Sequence, residues 1–116
     1  MIKKISLQLL VADIERSIEF CTKELGFTVE LRYEDFYAGI IKDGSSIHLK
    51  EGWSSMGEIK SNRSNEDPDI IFSVEGIEDV YEEMIRRSIK IIRPLRSMPY
   101  GKEFYVADPD DHIIAF

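Results

Sequence analysis

Two histidines, one cysteine and a spread of carboxylates bound the chemistry open to this chain. His48, in Ile47-His48-Leu49, lies in an aliphatic run. An imidazole there either exchanges protons or hydrogen bonds with a bound molecule, or is satisfied by a neighbouring strand. Asp69 follows Pro68 and opens a second aliphatic run, as a ligand-facing carboxylate or as a solvated strand start. A third arrangement sets His48 and Asp69 against each other as a hydrogen-bonded pair, placing negative charge where a cation can dock. His112 falls in the Asp108-Pro109-Asp110-Asp111 turn, which reads as an exposed, structural position. The aromatic residues Phe36, Tyr37, Trp53, Tyr100, Phe104 and Tyr105 mostly suit core or cross-strand pairs. Trp53, however, opens a polar stretch, and Tyr100 sits between Pro99 and Gly101 at the mouth of a strand. Flat rings in such places can stack on a planar or cationic ligand. No Ser-His-Asp or Cys-His spacing is evident, and no G-x-G-x-x-G or Walker-type loop occurs, so no nucleotide cofactor is expected.

The elements that must position these residues follow from periodicity. Ile5 to Val11 reads as a largely buried strand, and Asp13 as an N-cap. Ile14, Ile18, Cys21 and Leu25 then mark one face of a helix that Gly26 stops, so that Cys21 reads as a core thiol, with a reactive thiol as the alternative. Strands follow at Phe27 to Tyr33, Phe36 to Ile41 and Ser46 to Lys50, with Glu34-Asp35 and Lys42-Asp43-Gly44 as turns. After a polar connection over 53–67 the order restarts: strand Asp69 to Val74, a helix marked by Ile77, Tyr81 and Met84, then strands Ile89 to Arg93, Glu103 to Ala107 and His112 to Phe116. Val11/Val74, Ile14/Ile77, Glu15/Glu78 and Glu19/Glu82 match at a constant offset of 63, with Ile18/Tyr81 as an apolar equivalent. A duplicated βαβββ unit accounts for this. The expected fold is therefore α+β: module 1 over about 1–52, module 2 over about 68–116, one domain over 1–116. Its curved mixed sheets would enclose a cavity, with the modules pairing within one chain or swapped between two.

A chain of 116 residues with 43% hydrophobic and 32% charged residues can bury a core. No apolar run approaches the roughly 20 residues of a membrane span. With no signal-like N-terminus and a single cysteine, a cytoplasmic setting is expected. The net charge of −7 and the scattered lysines and arginines disfavour nucleic-acid and anionic-membrane partners. An acidic cleft would favour a cationic ligand.

Two segments resemble the glyoxalase/bleomycin-resistance (vicinal-oxygen-chelate) superfamily. Leu9-Leu10-Val11-Ala12-Asp13-Ile14-Glu15-Arg16-Ser17-Ile18-Glu19-Phe20-Cys21, ending in Leu25-Gly26-Phe27, matches its strand-to-helix signature, with Cys21 replacing the usual tyrosine. Tyr105 to Phe116 resembles its Asp-Pro-Asp-Gly hairpin, with Asp111 in place of the glycine. The resemblance implies four metal-ligand positions in the metal-dependent members, one per strand, which fall here on Ser6, His48, Asp69 and Ala115. A serine hydroxyl is a poor ligand and alanine has no donor atom, whereas catalytic metals rest on three protein ligands. No metal and no catalytic residue are therefore expected. The resemblance implies instead a homodimeric, metal-independent protein that binds a small molecule, sequestering a planar or cationic antibiotic-like compound. The residues expected to contact it are His48, Asp69, Trp53, Tyr100, Glu103 and Tyr105. The alternative is a metal-dependent lyase, isomerase, thiol transferase or dioxygenase of the same superfamily, with Glu103 or a partner chain supplying the missing ligand.

Overall fold

The computed structural model describes residues 1–52 and 67–116, and the chain divides into two compact units, Met1–Asn62 and Arg63–Phe116. Trp53 and nearly all of the 53–67 connection lie outside the described residues.

In the first unit, β1 (Ser6–Val11) leads into α1 (Ile14–Glu19), followed by β2 (Thr28–Tyr33), β3 (Tyr37–Lys42) and β4 (Ser45–Glu51). Asp13 has extended backbone and accepts from the Arg16 amide at 3.2 Å, the cap expected of it. The helix does not run as one α-helix to Leu25. Phe20–Glu24 forms a π-helical turn, where Thr22 Oγ1 donates to the Ile18 carbonyl at 2.8 Å and competes for a group that regular α-winding gives to an amide. Gly26, at φ +79°, ends it. Asp43 and Gly44 both have positive φ, as a tight hairpin turn requires.

The sheet order is β1-β4-β3-β2, with β1 parallel to β4 and the other pairs antiparallel. Strand alternation separates two faces. Ala38, Ile40, Ile47 and Leu49 form the buried face with Ile14, Cys21 and Leu25 of the helical segment. Register places Ser46 and His48 on the other face, beside Ser6 and Gln8 of β1 and Gly39 of β3. The expectation of a largely buried first strand is corrected: β1 is an edge strand, and only Val11 in it is fully buried.

The second unit repeats the plan with β5 (Ile70–Ile71), α2 (Ile77–Arg86), β6 (Ile91–Met98), β7 (Gly101–Ala107) and β8 (Ile113–Ala115), in sheet order β5-β8-β7-β6. Its first strand is again parallel to its last. Ile14 and Ile77 each open a helix, as the 63-residue offset implied. Gly76, the counterpart of Asp13, takes the left-handed conformation and provides no side-chain cap.

The largest departures from the expected strand lengths are in β5 and β6. β5 is two residues long rather than six, because its parallel partner β8 is itself only three. β6 runs past Pro94 to Met98, because an edge strand with register shifts on either side of Arg93 tolerates a residue without an amide hydrogen. The largely aliphatic core of this unit holds an aromatic cluster: Phe104, with no exposed surface, stacks on Phe116 at 4.9 Å and meets Tyr81 of α2 edge-on at 5.0 Å.

Candidate functional site

In β7, Phe104 and Val106 are fully buried, so Glu103 and Tyr105 alternate onto the opposite face. Register sets Ala115 of β8 beside Tyr105, and Arg96 of β6 beside Glu103. The Met98–Gly101 turn carries Tyr100 back over the same face. A cavity of about 530 Å³ opens there, lined by Tyr100, Glu103, Tyr105 and Ala115 together with apolar residues that include Ile71, Phe72 and Val74.

Glu103 is the centre of this arrangement. It is buried, and its carboxylate accepts from the Tyr100 hydroxyl, from Arg96 Nη2 at 2.8 Å and from Arg96 Nε at 3.3 Å. The Tyr100 bond, followed by that from Arg96, holds the acid below the usual carboxylate range, with Tyr105 also donating. Tyr100 is pushed up because its phenol proton is held by Glu103, and Tyr105 is pushed up first by burial and then by the same carboxylate. The Arg96 guanidinium also lies 5.7 Å from the centre of the Tyr105 ring. A charged acceptor met by charge-assisted donors has little slack, so the Tyr100 hydroxyl is tethered to Glu103 beside the Tyr105 ring.

Three of the six expected contact residues, Tyr100, Glu103 and Tyr105, thus line one cavity, and Ala115 lies with them. Arg96 was not foreseen. The available signal was its separation from Glu103 across a hairpin, but Pro94 obscured the strand that carries it.

His48 and Asp69 each have partners of their own. His48 is half-buried on the polar face of the first sheet, where its Nδ1 and the Tyr37 hydroxyl share a hydrogen bond of 2.5 Å and the rings meet edge-on. Beside it the Ser6 and Ser46 hydroxyls bond at 3.0 Å. Asp69 does structural work at the edge of β8: its amide donates to the Ile113 carbonyl at 2.7 Å, and its Oδ2 accepts from the Ile113 amide at 2.8 Å.

His112 is not exposed as expected, because the turn folds its ring against Asp108. Its Nδ1 lies 2.7 Å from Asp108 Oδ2, and its side chain keeps 15% of its exposure. Asp108, Asp110 and His112 place ligand atoms within 4.8 Å of one another. Asp108 Oδ1, however, already accepts from the Asp110 and His112 amides, which makes this cluster the frame of the hairpin.

The four positions implied for a divalent metal do not fit one. Ser6 is engaged with Ser46, Asp69 caps Ile113, and Ala115 offers only a methyl. The three protein donors a catalytic ion needs are not present in that set.

Two successive four-stranded mixed sheets of identical strand order, each with one principal helix on one face, define a duplicated α+β fold. The chain belongs to the glyoxalase/bleomycin resistance protein/dioxygenase superfamily, whose family model matches residues 5–116. It is 30% identical to the bleomycin resistance protein of Geobacillus stearothermophilus over 91% of this chain and 89% of that protein, and equally to the bleomycin resistance protein of Staphylococcus aureus. Among solved structures, its fold is similar to a glyoxalase/bleomycin resistance protein/dioxygenase from Alicyclobacillus acidocaldarius, with a TM-score of 0.79 and 15% identity over 98% of this chain and 89% of that one. It is also similar to TnmS3, an antibiotic binding protein from Streptomyces sp. CB03234, with a TM-score of 0.75 and 12% identity over 99% of this chain and 93% of that one.

Proposed function

We propose that this chain is a metal-independent binding protein that captures a planar, antibiotic-like small molecule in the Glu103 cavity. The observation that carries the reading is the pair of tyrosines held by one buried carboxylate at the edge of a largely apolar cavity, with Ala115 where a metal-dependent relative needs a donor. Rings fixed in this way lose little freedom when a flat molecule stacks on them, so binding costs less ordering entropy. The resemblance to proteins named for bleomycin resistance, and to an antibiotic binding protein, points the same way. The reading includes a single 1–116 domain, a cytoplasmic setting and a homodimer.

The test is titration of chelator-treated protein with bleomycin and with uncharged tricyclic compounds, followed by tyrosine and tryptophan fluorescence and by calorimetry. Saturable one-site binding that survives chelation is expected. A stoichiometric transition metal retained through dialysis, with binding only in its presence, would replace capture with metal-dependent chemistry.

A further inference from the structure

The chain is acidic, with a net charge of −7, yet the Glu103 cavity is not. Among the described residues, the charged side chains in its lining are those of Lys102 and Glu103, and they cancel. Each is further neutralised from outside the lining, Glu103 by Arg96 and Lys102 by Glu78. Both oxygens of Glu103 are occupied, one by Tyr100 and the other by the guanidinium, and the side chain keeps only 8% of its exposure. A ligand cation seeking that carboxylate must displace Arg96 or lie close to it, and the guanidinium already sits by the Tyr105 ring a cation would use. With no free counter-charge among the described lining residues, a buried cation loses hydration and gains little in return. The ring faces of Tyr100 and Tyr105 and the apolar surface of Ile71, Phe72 and Val74 remain available, and they carry no such penalty for an uncharged planar molecule.

We infer that Arg96, by neutralising Glu103, makes this cavity select planar uncharged aromatic ligands over planar cations of the same size. The inference rests on the capture reading above and narrows it. Arg96 is a positioning residue here, acting through Glu103 and not by touching the ligand.

The experiment compares two fluorescent tricyclic probes at pH 7 by anisotropy: acridone, which is uncharged, and 9-aminoacridine, which is a cation. Wild-type protein is expected to bind acridone more tightly. Arg96→Gln leaves Glu103 as an unmatched negative charge and should tighten 9-aminoacridine by about tenfold, a value discounted for the partial exposure of Arg96. Acridone affinity should change by less than about threefold, because uncharged ligands feel little of that Coulomb energy. Arg96→Lys should keep the wild-type order, and the double variant Arg96→Gln/Glu103→Gln, neutral again, should return to it.

Preference for 9-aminoacridine in wild-type protein, or an Arg96→Gln ratio equal to wild type, overturns the inference and leaves capture standing. Failure of both probes, bleomycin and the other tricyclics to bind any of the proteins overturns capture and the inference together. Wild-type preference is read without a variant, so an unstable Arg96→Gln protein does not shield the inference.

Discussion

Replacing Phe104 with alanine tests whether the face behind the cavity is a packed aromatic platform. Phe104 has no exposed surface, stacks on Phe116 with planes only 9° apart, and takes Tyr81 of α2 against its edge. Removing the ring forfeits its transfer free energy and leaves a void that two neighbouring rings fill poorly, a cost of about 3–5 kcal/mol. Unfolding entropy of roughly 2.1 cal/mol/K per residue gives about 0.24 kcal/mol/K for a chain of 116 residues. Each kcal/mol then moves the midpoint by about 4 °C, so Phe104→Ala should lower the transition carrying this sheet by about 12–20 °C. Phe104→Leu keeps much of the volume but loses the ring geometry, and should cost about 1–2 kcal/mol. Differential scanning calorimetry and urea denaturation read both changes. A loss below about 1 kcal/mol for alanine, or a leucine variant as unstable as the alanine one, would refute the packing argument.

Three further predictions concern titration and capping. Glu103 is held low by Tyr100 and then Arg96, so the stability it contributes is complete above its ordinary value of 4.5 and is lost as pH falls through the lower folded value; Glu103→Gln should flatten the acid limb of a melting-temperature profile. For His112 the sign is opposite. Burial alone would lower it, but the hydrogen bond and charge of Asp108 outweigh burial, with Asp69 and Asp110 adding to them, so its pKa is raised. Its contribution is therefore complete below pH 6.5 and is lost as pH rises through the raised value; His112→Gln should remove that slope, and an imidazole NMR titration should show the upward shift directly. Asp13→Ala removes the side-chain acceptor for the Arg16 amide and should cost about 1 kcal/mol, whereas Asp13→Asn should cost less, since its side chain retains an acceptor oxygen.

The fold was readable because its signals are local. Asp13 and Gly26 bracket a helical stripe, Asp43-Gly44 closes a hairpin, and helix starts 63 residues apart repeat one element order. Burial was less readable. Ser6-Leu7-Gln8-Leu9 alternates as a half-buried strand should, but how much of β1 is covered depends on its edge position, which only the sheet order fixes. The length of β6 was hidden by Pro94, since a proline stops a central strand but not an edge one, and sequence alone does not say which strand is central.

The candidate site was half readable for the same reason. Tyr100, Glu103 and Tyr105 lie within six residues, and a hairpin was bound to bring them near one another. Their meaning changes with one long-range fact: the register of β6 places Arg96 opposite Glu103. Composition assigns every carboxylate the same charge, and on that basis an acidic protein attracts cations. Register decides which carboxylates are already matched. Ionic pairing inside a fold can therefore make the local field of a cavity independent of, or opposite to, the net charge of the chain that forms it. On the capture reading proposed above, the ligand is accordingly better sought by the shape and neutrality of the space beside Tyr105 than by the overall charge of the molecule.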